Sequence, residues 1–507
     1  MLALRVGFLW LVGYIFFVFH GLSFHLTPWS QAFVNAIVKY TYDPGGHRGQ
    51  NDVTVVLFRE ENLQHMGVPY PMPYGVHAEI LDALASYHPR AVFVDFAFID
   101  EREDSRGMAD ALCGLGRPKD GPPIPVFIAA PSGTAVQQAL LRCAKAASPE
   151  MQEPEGVSGV LTYASRGTPD SQGTPEGLRT AAFALAATNP ALGFDSRDLE
   201  EPLEIIWGKG VAPLNRKWMK CKEPSLGAGI GAMLKEGPLA LRIACPYTRT
   251  ITVGHLLNFS NDDDIKTALG GRTVLYGAGF RLTGDQVDSP VYAQLPGVYL
   301  HAMAYDNLVT FGKSYKRARR TGLTAKITDA VLLLIASVIL VRYPRRPSHP
   351  PATFAEVKRR IRDAVIAGAV AAITLLVIVW VGGFDIGLLA VFAAYVLYRW
   401  RVTEDRGFVL LVGVTLGTAL FNYYVMNLGP RNILAFLVFF EVVRHVQKHV
   451  KEAAERYVEL RAREDHAPQG PFWRLTDAWL SRYVESAAGA NGRGEITHET
   501  QETGTPR

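Results

Sequence analysis

Apolar residues are spread unevenly along this chain of 507 residues. A run from Val6 to Phe24 is interrupted by little besides His20 and meets the length of about 20 apolar residues that a spanning helix needs. From 26 to 322, short apolar runs alternate with polar turns and helix-period stretches. From 327 to 443 the chain is again dense in Leu, Val, Ile, Ala and Phe, and beyond 444 it is charged, then rich in Gly, Thr and Glu. The pattern predicts an N-terminal transmembrane anchor over 1–25, an extracytoplasmic α/β domain over 26–322, an all-α transmembrane bundle over 323–443, and a cytoplasmic tail over 444–507. A cleavable signal is the competing reading of the first segment, with Arg5 as its basic flank, but His25-Leu26-Thr27-Pro28-Trp29 offers no small-residue cleavage site.

Within 26–322 the apolar runs in Asp52–Phe58, Ala91–Phe96, Val126–Ala129, Val160–Tyr163, Leu203–Trp207, Leu239–Ala244 and Thr273–Tyr276 read as strands. His77–Leu84, Thr134–Ala146, Gly177–Ala187 and Pro296–Val309 have helical spacing. Continuously apolar strands alternating with helices imply an α/β domain whose sheet is buried on both faces.

The region 323–443 breaks into five candidate spans: Ile327–Val341, Ala364–Val381, Phe384–Tyr398, Phe408–Val425 and Ile433–Val443. Lys and Arg favour cytoplasmic flanks. Arg342–Arg362, Arg399–Arg406 and Arg444–Arg463 would all lie inside if the N-terminus does, which predicts a multi-pass inner-membrane protein in contact with lipid. Lys313, Lys316, Arg317, Arg319 and Arg320 run against that orientation and could rest on anionic headgroups.

Overall composition hides this division. The chain is 48% hydrophobic and 20% charged with a net charge of +4, and its mean hydropathy is +0.08. These values exclude a disordered chain, a collagen and a disulfide-packed miniprotein. All four cysteines, Cys113, Cys143, Cys221 and Cys245, fall in the predicted outside domain, where two disulfides would form. Three pairings are possible. The sequential one, Cys113–Cys143 with Cys221–Cys245, is favoured, and four buried thiols is the alternative.

No HExxH, GxSxG or complete phosphate-binding loop is present. Phe311-Gly312-Lys313-Ser314 imitates the end of one, but the first required glycine is Asn307 and the segment continues a helix. Asn261-Asp262-Asp263-Asp264 reads as a solvated loop or helix start rather than a cation site. Asp95 ends a strand, where α/β sheets place ligands, and Asp285 follows another strand. A ligand pocket of Asp95, Asp285 and His77 is therefore the candidate site, with loop bracing as the plainer use of the same residues. His301 reads as a packed helix histidine. No catalytic residue, metal, cofactor or nucleic-acid partner is expected.

The stretch from Gly271-Arg272-Thr273-Val274-Leu275-Tyr276-Gly277-Ala278 through Gly284-Asp285 and Ser289-Pro290 to Leu295-Pro296-Gly297-Val298-Tyr299-Leu300-His301-Ala302 and Asp306-Asn307-Leu308 resembles the closing signature of CHASE2 domains. The first strand, Glu61-Asn62-Leu63, the Pro-rich turn and the strand ending at Asp95 resemble its opening. The resemblance covers about 40–310 and implies an extracytoplasmic sensory module of a bacterial membrane receptor. Such receptors usually carry an effector domain after their membrane helices, and the residues beyond Val443 are too few for one. The expected function is therefore a non-enzymatic sensor that answers an unknown periplasmic ligand and relays to a separate cytoplasmic or membrane partner through Val442–Glu464, with a homodimer possible. A scaffold for envelope contacts is the alternative.

Overall fold

The computed structural model describes residues 48–118, 121–132, 134–150, 162–168, 177–208, 211–219, 245–258, 263–280, 285–288, 294–317, 334–335, 337–339, 396 and 406–424. The strands are β1 Val53–Phe58, β2 Ala91–Ala97, β3 Val126–Ala129, β4 Lys145–Ala147, β5 Thr162–Tyr163, β6 Leu203–Glu204, β7 Arg249–Thr252, β8 Thr273–Ala278, β9 Gln286–Asp288 and β10 Gln294–Pro296. The α-helices are α1 Arg48–Asp52, α2 Glu60–Met66, α3 Tyr74–Ala85, α4 Ser105–Gly116, α5 Ala181–Ala187, α6 Pro213–Trp218, α7 Val253–Asn258, α8 Asp263–Leu269, α9 Val298–Phe311 and α10 Arg406–Tyr424.

Six strands form one parallel sheet in the order β4-β3-β2-β8-β1-β7. The first two strands in sequence are not neighbours. β8, the last of the six, inserts between them and pairs Val53 with Thr273 on one side and Asp95 with Gly277 on the other. The middle of the sheet is thus completed last, and the chain reverses its direction of travel across the sheet there. In open α/β sheets, crevices at such reversals, outside the carboxyl ends of the strands, are where ligands bind.

The continuous apolar strands are buried on both faces, as their composition implies. Val53, Val55 and Leu57 of β1 join a core with α5 and α9 on one side. Val56 and Phe58 join α3 and α4 on the other. Helix α9 is central: its residues from Val298 through Val309 are all buried. It can lie this close because Gly277 has no side chain; a Cβ there would stand 2.7 Å from the Cβ of Val298. Near the amino ends of the strands, Arg90 pairs with Asp52 at 2.5 Å. Tyr305 of α9 donates to the same carboxylate and accepts from Thr273 and Asn189. At the edge strand β7, Asn215 accepts from the Thr250 amide and donates to the carbonyls of Pro246 and Thr248.

Helical spacing over 134–146 predicts one helix, but the structure has a single 3-10 turn at Leu140–Arg142 followed by strand β4. Lys145, Ala146 and Ala147 pair with Phe127, Ile128 and Ala129. Sheet pairing outweighs local spacing in this short segment. Cys143, just before β4, is bonded to Cys113 of α4 with their Cα atoms 4.9 Å apart. The sequence separation of 30 predicts that reduction, or a Cys113→Ser/Cys143→Ser pair, costs about 3–4 kcal/mol in the chain-entropy view. Urea unfolding with and without dithiothreitol measures this, and the double variant should be insensitive to reductant. The second expected pairing is corrected: Cys245 is a buried free thiol, and Cys221 lies outside the described residues.

The expected all-α transmembrane bundle is also corrected, and with it the multi-pass inner-membrane location. Among the described residues no helix is long and apolar enough to cross a membrane. Helix α10 falls where the fourth span is expected, but Phe408, Leu411 and Val412 are buried in the same apolar cluster as α5 and α9, so protein covers them. The anchor Val6–Phe24, the spans Ala364–Val381 and Ile433–Val443, and the tail 444–507 lie outside the described residues, as do nearly all of Ile327–Val341 and Phe384–Tyr398.

Candidate functional site

Side-chain alternation along β2 builds the site. Val92 and Val94 face the α3 layer, so Phe93 and Asp95 face the opposite layer, where α9 lies. Asp95 sits beside Gly277 in the ladder, so no side chain from β8 covers it. The antiparallel pair β9–β10 matches Gln286 with Pro296, which carries Asp285 to Gly297, immediately before α9. The Gly297 amide donates to the Asp285 backbone carbonyl at 3.1 Å, and it also supports the Asp285 carboxylate. A Cβ at residue 297 would collide with Asp285 Oδ1. The carboxylate thus occupies the positive end of a 14-residue helix.

Asp95 and Asp285 interact electrostatically. Burial first, and then the neighbouring Asp285 charge, hold the Asp95 carboxyl well above the usual carboxylate range. Burial raises Asp285 too, while the Gly297 amide opposes the rise. Among the described residues no Lys or Arg side chain offsets the pair.

His301, one turn into α9, points Nε2 at Asp95 Oδ1 across 3.8 Å, which is too long for a hydrogen bond. Its Nδ1 lies 2.6 Å from the hydroxyl of Tyr163. That hydroxyl already accepts from the Ala182 amide at 3.1 Å. With the phenol as donor to Nδ1, the imidazole proton sits on Nε2, facing Asp95. Burial pushes His301 down to about 3, so the ring is neutral. Burial likewise raises the Tyr163 phenol, which keeps its proton. The rings of Phe93 and Tyr163 stand edge-on to the imidazole and close the site with apolar surface.

Of the three residues singled out in the sequence, Asp285 lies near enough to Asp95 to act on its charge, and His77 is set apart. His77 lies in the α3 layer, with Nδ1 3.0 Å from the Tyr276 hydroxyl and with Phe96 and Phe98 packed around it. Burial lowers it to about 4. His301 and Tyr163 take the place beside Asp95 instead. They are 138 residues apart in the chain, so no local pattern links them. Elsewhere, Asp263 and Asp264 lie in the first turn of α8, and the described residues contain no cluster able to hold a metal. Gly312–Ser314 is a 3-10 turn after α9, with Lys313 paired to Asp198 at 2.8 Å.

The fold and site define a parallel α/β domain with an acidic cluster at the carboxyl ends of its central strands. The family model for the CHASE2 domain matches residues 9–343, and the chain belongs to the CHASE2 family, whose domain is a sensory module of signalling proteins. Comparison with curated proteins and with solved structures finds no match.

Proposed function

We propose that this protein is a non-enzymatic sensor that passes its signal to a separate protein. The input is received at Asp95, Asp285 and His301, and α9 carries the response toward the residues after 317. One observation carries this reading: Asp285 sits at the first turn of a helix whose residues from Val298 through Val309 are all buried, while Asp95 lies near the carboxyl end of a central strand. A change at the strand ends therefore acts on α9, whose C-terminal turn leads to Lys316 and Arg317 beside β6. The other end of that helix is held by Tyr305 and the Asp52–Arg90 pair. Family membership supports the sensory role, and the mixed charges of 442–464 make that stretch the one proposed to meet a partner protein.

The relay predicts that a specific partner co-purifies with the full chain from producing cells and is lost when 444–507 is deleted. Equal recovery of every associated protein by both chains would contradict it.

A further inference from the structure

The segment just after α9, Gly312 to Arg317, is bound to the domain by contacts of its own. Gly312 ends the helix with φ 56° and ψ −138°, a conformation in which residues with a side chain are strained. A Cβ there would meet nothing within 4 Å, so conformation alone calls for glycine. The chain turns through Gly312–Ser314 and then lies along β6. The Glu204 amide donates to the Lys316 carbonyl at 2.7 Å, and Leu203 bridges Arg317 in antiparallel fashion. Because β6 also pairs with β5, residues 316–317 add a third strand to that ribbon. Tyr315 fills the bend. It is fully buried, stands edge-on to Phe183 and Phe194, and donates its hydroxyl to the Glu201 carbonyl at 2.8 Å. Two ion pairs flank it, Lys313–Asp198 at 2.8 Å and Arg317–Glu201 at 3.0 Å. The basic cluster expected on anionic headgroups thus sends Lys313 and Arg317 to carboxylates of the domain.

We propose that residues 312–317 form a clasp that opens about Gly312 as a unit while the rest of the domain stays folded. The sensor reading above is used only for what lies beyond 317; the clasp is a property of the domain itself. The groove keeps its shape without the segment, because its walls have other supports. β6 retains its pairing with β5, and Ile206 just after it retains its bonds to Asn307. In the loop 195–201, the Asp195 carboxylate still accepts from the amides of Arg197 and Asp198, and Glu200 stays with Arg166 at 3.1 Å. Phe183 belongs to α5, which is part of the main core. Opening gives up the Tyr315 pocket, the backbone bond to β6 and the two ion pairs. The Lys313 and Arg317 side chains are 55% and 36% exposed, and pairs as exposed as these are individually weak and screened by salt. The buried Tyr315 ring is therefore the main hold, and Gly312 supplies the bend. Closed, the clasp ties the chain beyond 317 to β6; open, it lets that chain move independently of α9.

The test uses the purified full chain, with hydrogen exchange in low urea and brief trypsin digestion read by mass spectrometry. The Glu204 amide, which donates to Lys316, and the Tyr315 amide, which donates to Gly312, should exchange faster than amides 302–306 of α9. Their exchange should also depend little on urea, the mark of an opening far smaller than global unfolding. Cleavage after Lys316 should be about tenfold faster or more in Gly312→Ala, whose backbone strain is relieved only in the open form. Asp198→Asn and Glu201→Gln should each raise it by about two- to fivefold, and Tyr315→Ala by more than about tenfold. If the Glu204 and Tyr315 amides match 302–306 in rate and urea dependence, separate opening is overturned. If Gly312→Ala is cut no faster than wild type, the bend at Gly312 is not what the clasp opens about. Neither readout involves a partner, so these failures are distinct from failure of the relay.

Discussion

Replacing Asp95 by asparagine should stabilise the folded domain in mildly alkaline solution by about 1–3 kcal/mol and have little effect in acid. The sign follows from linkage. Asp95 and Asp285 have raised folded-state values, so their contribution to stability is fully present below the ordinary aspartate value of 3.8 and is lost as pH climbs through the raised values. Asparagine has the same shape and cannot ionise, so it avoids that loss. His301 and His77 act in the opposite sense. They are lowered to about 3 and about 4, and their contribution is lost as pH falls from 6.5 toward those values. The difference between wild type and Asp95→Asn at each pH, from urea unfolding, cancels the histidines and isolates the carboxyl. A variant that is less stable than wild type at alkaline pH would mean that the Asp95 charge is compensated.

The second large effect is expected at Asn307. Its Oδ1 accepts from the Ile206 amide at 2.8 Å, and its Nδ2 donates to the carbonyls of Ile206 and Met303, each at 2.9 Å. One buried side chain on α9 thereby serves both backbone groups of Ile206 just after β6. Asn307→Ala leaves those groups unpaired and should cost about 2–5 kcal/mol, read as a lower urea midpoint at unchanged slope. Asn307→Asp keeps the acceptor but turns a carboxyl oxygen toward the Ile206 and Met303 carbonyls in a buried place, so above the ordinary aspartate range it should cost at least as much as alanine. An alanine variant within about 0.5 kcal/mol of wild type would show that these bonds contribute no net stability.

The sequence makes the sheet legible where strands are continuously apolar. Val126–Ala129 has the bounds its apolar run suggests, β1 starts one residue after the expected Asp52, and β2 and β8 extend theirs by one and two residues. β7 escapes notice because Arg249-Thr250-Ile251-Thr252 has one aliphatic side chain, and much of its support comes from Asn215, a buried polar residue far away in sequence. Helix α4 is missed because Ser105–Gly116 is broken by Gly107 and Gly114, yet Met108, Leu112 and Leu115 still bury one face. Asp95 and Asp285 are legible because each follows from its place at or after a strand. His77 misleads for a geometric reason: which layer a helix packs on is set by the crossover, and spacing within the helix does not reveal it. His301 and Tyr163 meet only because β5 and α9 converge on one face of the sheet. The apolar stretch at α10 shows a further limit, since periodicity does not distinguish burial by protein from burial by lipid.

Hydrogen exchange along the far half of α9 tests the link between the site and this helix most directly. Comparing wild type with Asp95→Asn before and after a step to alkaline pH, protection of residues 305–311 should fall in wild type and hold in the variant. The effect would then travel from Gly297 past Asn307 toward the end of the domain. A pH-dependent change confined to the first turn of α9, or one equal in both chains, would contradict transmission from the carboxyl pair through this helix.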